Sequence, residues 1–212
     1  MNKDWENFCA LASNIYKAEE GMKMDLGNDN YRRFLAGDDD GLTLIIKEYK
    51  DGLILYINSY VNNIYIAEDL MQDTFFKIAV KKPRFKGESS FKTWLYAIGR
   101  NIALDYIRKH SKNTVCSIDD MENCIKDEAE LEALCIKNER KKVLHKALTT
   151  LKTEYRQVLW LVYFEGFSND QVAQVMDKSK RQIENLIYRA KQSLESALKK
   201  EGLEYEELWR NN

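Results

Sequence analysis

The chain has 212 residues, of which 44% are hydrophobic and 32% charged, with a formal net charge of −1 and a single proline, Pro83. That length suits one or two domains, with apolar residues enough for small cores and no low-complexity tract. No apolar run is long enough to span a bilayer and no leader segment precedes the first helix, so no membrane insertion is expected.

The charge is segregated. Net charge is −6 over residues 1–80, +7 over 81–112, −6 over 113–139, +7 over 140–200 and −3 over the last twelve. Two basic blocks around an acidic spacer suggest two contacts on one polyanion, against the plainer alternative of charge patterned for solubility. Cys9, Cys116, Cys124 and Cys135 form no CxxC pair, and neither His110 nor His145 lies at ligand spacing from one. Reduced thiols in a cytoplasmic protein are expected, with no metal site and no cofactor.

Few punctuated runs of β-branched residues appear, so the expected fold is all-α. Residues 1–28 read as a short helix, about 5–20, then a loose segment with Gly21, Gly27 and Asn28. Residues 30–38 form a short helical piece ending near Gly37. Residues 42–62 form a long helix with Leu42, Ile45, Ile46, Tyr49, Leu53, Tyr56, Ile57 and Tyr60 on its apolar face. The next helix, 64–81, turns Leu70, Phe75 and Ile78 inward. Asp69, Gln72, Asp73 and Phe76 share an outer stripe at i, i+3, i+4 and i+7. Pro83 stops it. The loop 85–90 contains Gly87, and Ser90 caps a helix over 91–110 whose inner residues are Leu95, Ile98, Ile102 and Tyr106.

Residues 111–138 lack apolar periodicity and are acidic, with one helical turn near 128–135. Helix resumes near Asn138. Leu144, Ala147, Leu148 and Leu151 are followed by Val158, Leu159, Val162 and Tyr163, and Gly166 closes that helix. Residues 166–191 then read as two short helices around a tight turn. Ser168 with Gln171, and Ser179 with Gln182, fit two capping boxes. Val172, Ala173 and Met176 face inward on the first; Ile183, Leu186, Ile187, Ala190 and Leu194 do so on the second. The second helix carries Lys180, Arg181, Asn185, Tyr188, Arg189 and Lys191 outward, which suits the major groove of DNA. A helical hairpin with a solvated charged face is the alternative.

The stretch AEDLMQDTFFKIAVKKPRFKGESSFKTWLYAIGRNIALDYIRKH (67–110) resembles region 2 of bacterial sigma factors, and LTTLKTEYRQVLWLVYFEGFSNDQVAQVMDKSKRQIENLIYRAKQSL (148–194) resembles their region 4. Order and spacing match the extracytoplasmic-function group, which has these two helical domains alone. The resemblance implies a region 2 domain over 30–112 and an acidic linker over 113–138. It implies a helix-turn-helix region 4 domain over 139–200, leaving 1–29 as an extension and 201–212 as an acidic tail. The implied activity is that of a promoter-specificity subunit of RNA polymerase, without an active site of its own.

Carried over by position, Asp69, Gln72, Asp73 and Phe76 are implied to dock on the clamp helices of the largest polymerase subunit. Lys86, Gly87, Glu88, Ser89 and Ser90 are implied to line the loop that captures an unstacked promoter base, with Phe85, Phe91 and Trp94 as support. Arg100, Asn101, Arg108 and Lys109, beside Asp105 and Lys112, are implied to meet the −10 element, Asn101 being the base reader. Arg181, Gln182 and Asn185 are candidates for −35 base edges, and Lys178, Lys180, Arg189 and Lys191 for phosphate.

Asp177 and Lys178 replace a commoner Gly–Ile turn, Glu184 a basic residue, and Lys152 the usual proline, leaving Thr153 as a cap. An anti-sigma partner is implied by the resemblance alone. A stand-alone helix-turn-helix regulator is the second reading. A nucleic-acid enzyme is the third, though Asp69 and Asp73 find no third carboxylate or His at recognisable spacing.

Overall fold

The computed structural model describes residues 26–113 and 146–200, with side chains through residue 110 in the first segment. The expected helix at 5–20, residues 114–138 of the linker, Leu144, the tail 201–212 and all four cysteines lie outside the described residues. Among the described residues there are helices and no strands, as the all-α reading expects. They fall into two compact units, one containing residues 26–113 and 174–177 and the other residues 146–173 and 178–200.

The first unit has four helices: α1 Leu26–Leu35, α2 Asp40–Val61, α3 Ile64–Lys81 and α4 Phe91–Asn113. Helix α1 starts four residues before the expected domain boundary, so residues 26–29 are helical and not a loose extension. Gly27, read as loop punctuation, is instead a point of close packing. A Cβ there would lie 2.5 Å from Phe91 Cδ1 and 2.6 Å from the Tyr49 hydroxyl oxygen. Tyr31 and Phe34 are buried on the same helix, and the Tyr31 hydroxyl donates to the Pro83 carbonyl at 2.7 Å.

Helices α2 and α3 meet at two asparagines. Asn62 takes the left-handed conformation (φ 51°), which asparagine tolerates better than most residues, and ends α2. Asn63 then caps α3, its side-chain oxygen accepting the Ile66 N–H at 3.1 Å. Ile45, Leu53, Tyr56 and Ile57 of α2 are buried, as are Leu70, Phe75 and Ile78 of α3. Truncating one such aliphatic side chain to alanine costs about 2–5 kcal/mol.

On α4 the inner face is rotated from the expected one. Phe91, Leu95, Tyr96, Gly99 and Ala103 are buried, whereas Ile98, Ile102 and Tyr106 stay partly exposed. The cause is Gly99, where a Cβ would stand 2.9 Å from Leu53 Cδ1. Having no side chain, Gly99 lets α4 lie close on Leu53 and Ile57 of α2 and Thr74 of α3.

The second unit is built on α5 Thr153–Leu159, the π turn Trp160–Phe164, the first five residues of α6 Asn169–Met176, and α7 Lys180–Lys200, preceded by helical residues 146–149. Thr153 is the first helical residue and not the cap; Lys152 holds that place with no side-chain hydrogen bond. The π turn is marked by the Glu165 N–H reaching the Trp160 carbonyl at 3.1 Å, five residues back. It shifts the helix register, so Trp160, Leu161 and Phe164 are buried and Val162 and Tyr163 are half-buried. Gly166 closes the segment with φ 69°. Val158, Leu159, Val172, Ile183, Ala190, Leu194 and Leu198 are buried in this unit.

Candidate polymerase and nucleic-acid interfaces

Helix α3 presents Asp69, Gln72, Asp73 and Phe76 together on its exposed side, with Phe76 64% exposed. The stripe is longer than expected. Tyr65 (49% exposed) and Val80 (56%) lie at i−4 from Asp69 and i+4 from Phe76. The face therefore sets two carboxylates, Asp69 and Asp73, between apolar residues at either end over about four turns. The helical spacing was sufficient to find both residues.

Loop 85–90 rests on an aromatic bed. Phe85 meets Phe91 edge-on at 5.7 Å and Trp94 at 5.3 Å; Tyr31 closes the group at 5.5 Å from Phe91 and 5.4 Å from Trp94. Phe91 is fully buried and supports the loop from below. Lys86, Gly87 and Glu88 are exposed at its tip, where Gly87 has φ 75° and Lys86 stands 3.9 Å from Glu88. Ser89 is half-buried. Ser90 caps α4: its hydroxyl oxygen accepts the Thr93 N–H at 3.1 Å and shares a hydrogen bond of 2.8 Å with the Thr93 hydroxyl.

Along α4, Asn101, Asp105, Arg108 and Lys109 are exposed. Arg108 pairs with Asp105 at 3.0 Å, and Arg100 donates to the Asn101 side-chain oxygen at 3.4 Å. The loop and this face belong to one compact unit, so the candidate −10 residues are carried by one group of helices. The side chain of Lys112 lies outside the described residues.

In the second unit both capping boxes form with both reciprocal bonds. The Ser168 N–H donates to Gln171 Oε1 at 2.9 Å and the Gln171 N–H to Ser168 Oγ at 3.3 Å. The Ser179 N–H donates to Gln182 Oε1 at 2.8 Å and the Gln182 N–H to Ser179 Oγ at 3.3 Å. Gln182 is exposed, yet its carbonyl oxygen is committed to the cap. Bidentate reading of adenine would need its amide donor and that same oxygen's second lone pair together.

Arg181, Asn185 and Arg189 are exposed on α7. Lys178, Gln182, Asn185, Leu186 and Arg189 line a shallow groove, so Leu186 is a half-exposed groove residue and not a core one. Tyr188, 64% exposed, lies on the stripe of Arg181 and Asn185, and its hydroxyl accepts from Gln192 Nε2 at 3.0 Å.

Three of the four phosphate candidates are engaged. Lys178 pairs with Glu154 at 3.1 Å and Lys180 with Asp170 at 2.9 Å. Lys191 lies 5.4 Å over the Tyr163 ring. The Asp170 carboxylate, by hydrogen bond and charge, raises the Lys180 ammonium above its ordinary value. Among the described residues no three His, Cys, Asp or Glu side chains gather as a metal site, and no helix is long and apolar enough to cross a membrane.

The family model for Sigma-70 region 2 matches residues 45–113, and that for Sigma-70, region 4 matches residues 141–194. The RNA polymerase sigma-H factor of Pseudomonas aeruginosa is 27% identical over 174 residues, covering 78% of this chain and 90% of the relative. The ECF RNA polymerase sigma factor SigM of Bacillus subtilis is 28% identical over 152 residues, covering 72% and 91%. Among solved structures, the sigma factor RpoE of Bartonella quintana, in complex with the anti-sigma factor NepR, has the same fold. Its TM-score is 0.59 at 23% identity, over 76% of this chain and 98% of that one. CnrH, in complex with the cytosolic domain of CnrY, gives 0.56 at 21% identity, over 82% and 96%. The chain belongs to the sigma-70 family of RNA polymerase sigma factors, in its extracytoplasmic-function group.

Proposed function

We propose that this sigma factor divides promoter recognition between its two helical units and docks on core polymerase through α3. Asp69, Gln72, Asp73 and Phe76, extended by Tyr65 and Val80, form the docking face for the clamp helices of the largest subunit. Carboxylates steer it toward a basic coiled coil and the apolar residues anchor it. Loop 85–90 with Arg100, Asn101, Arg108 and Lys109 takes the −10 element. Extruding a base costs a few kcal/mol, which a shaped loop on an aromatic bed offsets. Helix α7 takes the −35 element, with Arg181 and Asn185 as the base readers. The chain acts in the cytoplasm as a specificity subunit, with no catalytic group or cofactor of its own. An anti-sigma factor is a further proposed partner, by analogy with RpoE.

The observation that carries this reading is the pairing of two basic helical faces, on separate cores, with one acidic and apolar stripe. The test is run-off transcription with core polymerase on a library of genomic promoters. Start sites that depend on the chain are expected. Tight, sequence-specific binding by the free chain with no effect on polymerase would replace this reading with that of a stand-alone regulator.

A further inference from the structure

Two of the lysines assigned to the DNA backbone already hold carboxylates from neighbouring helices. Lys178, in the turn, reaches Glu154 on α5 at 3.1 Å; Lys180, at the start of α7, reaches Asp170 on α6 at 2.9 Å. Among the described residues Arg181 and Arg189, on the same helix, hold no ion pair. Of these four cations, two lysines are paired and two arginines are open.

We propose that Asp170 and Glu154 are intramolecular stand-ins for DNA phosphate, which set the affinity of this unit for duplex DNA by competing for Lys180 and Lys178. This rests on the assignment of α7 to the −35 element.

An exposed pair of this kind is weak, so a phosphate can replace the carboxylate. The exchange has a consequence for salt dependence. A lysine that neutralises a phosphate releases condensed cations from the DNA, and each such contact steepens the salt slope by about 0.9. A lysine taken from a carboxylate leaves that carboxylate bare beside the duplex, where it repels phosphate and recruits a cation. Both the affinity and the slope are then smaller than the number of lysines implies. Arg181, the proposed base reader, carries no such cost, so the acids weaken general DNA binding more than base reading. The free chain would be held back from indiscriminate binding while holoenzyme, which brings further contacts, would not.

The experiment titrates the full chain onto a short mixed-sequence duplex by fluorescence anisotropy at several salt concentrations, starting low. Asp170→Asn is expected to tighten binding roughly two- to fivefold. It should also steepen the slope by up to about one cation. Both gains should disappear when Asp170→Asn is made in a Lys180→Ala background. Glu154→Gln with Lys178→Ala gives the same cycle at a second pair, so loss of folding in one variant does not decide the matter.

No tightening by either acid variant overturns the inference. So does equal tightening with and without the lysine, which is a bare effect of net charge. If the wild-type chain binds no duplex at any salt, and Arg181→Ala leaves the promoter preference of holoenzyme unchanged, the −35 assignment itself fails and takes this inference with it.

Discussion

Single side chains in α7 separate into readers and holders. Arg181 is exposed in its first turn and carries no ion pair among the described residues. Arg181→Ala is expected to relax −35 preference in holoenzyme, at a cost of about 1–3 kcal/mol for a bidentate contact to guanine. Lys180→Ala should weaken binding across all sequences and flatten its salt dependence, by less than a lysine without a partner would. A panel of −35 variants measured at two ionic strengths checks both; matching slopes and unchanged preference in the two proteins would remove the division. In the first unit Gly99 packs closely against α2, where an added Cβ would stand 2.9 Å from Leu53 Cδ1. Gly99→Val should overpack that contact and lower stability by about 1–3 kcal/mol, visible as an earlier urea midpoint.

At the scale of elements, legibility followed how each signal is encoded. The outer stripe of α3 and both capping boxes were readable because they depend on spacing within one helix turn or two. The inner face of α4 was not, since Gly99 and Ala103 have no apolar signature and only their neighbours reveal the close packing. Nor was the π turn at Trp160–Phe164, which inserts a residue into the period and turns Trp160, Leu161 and Phe164 inward. The lysine–carboxylate pairs join residues 24 and 10 positions apart on different elements, beyond any local pattern. Two predictions belong here. Asp73→Lys with Phe76→Ala should weaken holoenzyme assembly while circular dichroism stays unchanged, because both residues are exposed; normal assembly by this variant would place the docking face elsewhere. Ser179→Ala should loosen the start of α7 by about 0.5–2 kcal/mol. Faster amide exchange over residues 180–182 is the readout, and unchanged protection there would show that the cap contributes nothing.

For the whole molecule, the two sets of proposed base readers are carried by different compact units. Asn101 is carried by the packing of α4 on α2, and Arg181 by α7 on α5. Effects at sites with no shared partners usually add. The logarithmic loss in promoter use for Asn101→Ala combined with Arg181→Ala should therefore equal the sum of the single losses in run-off assays, within about 0.5 kcal/mol. A large shortfall or excess would mean that the two readers are coupled. Separate units also bear on how such a protein changes over generations. A substitution that alters one half of the promoter address need not disturb the other, so promoters can drift one element at a time with the factor following. Exchanging either unit between paralogues becomes a single recombination event that creates a hybrid address from two existing ones. The pressure on such hybrids then falls on cross-talk between regulons, and less on whether the chain folds.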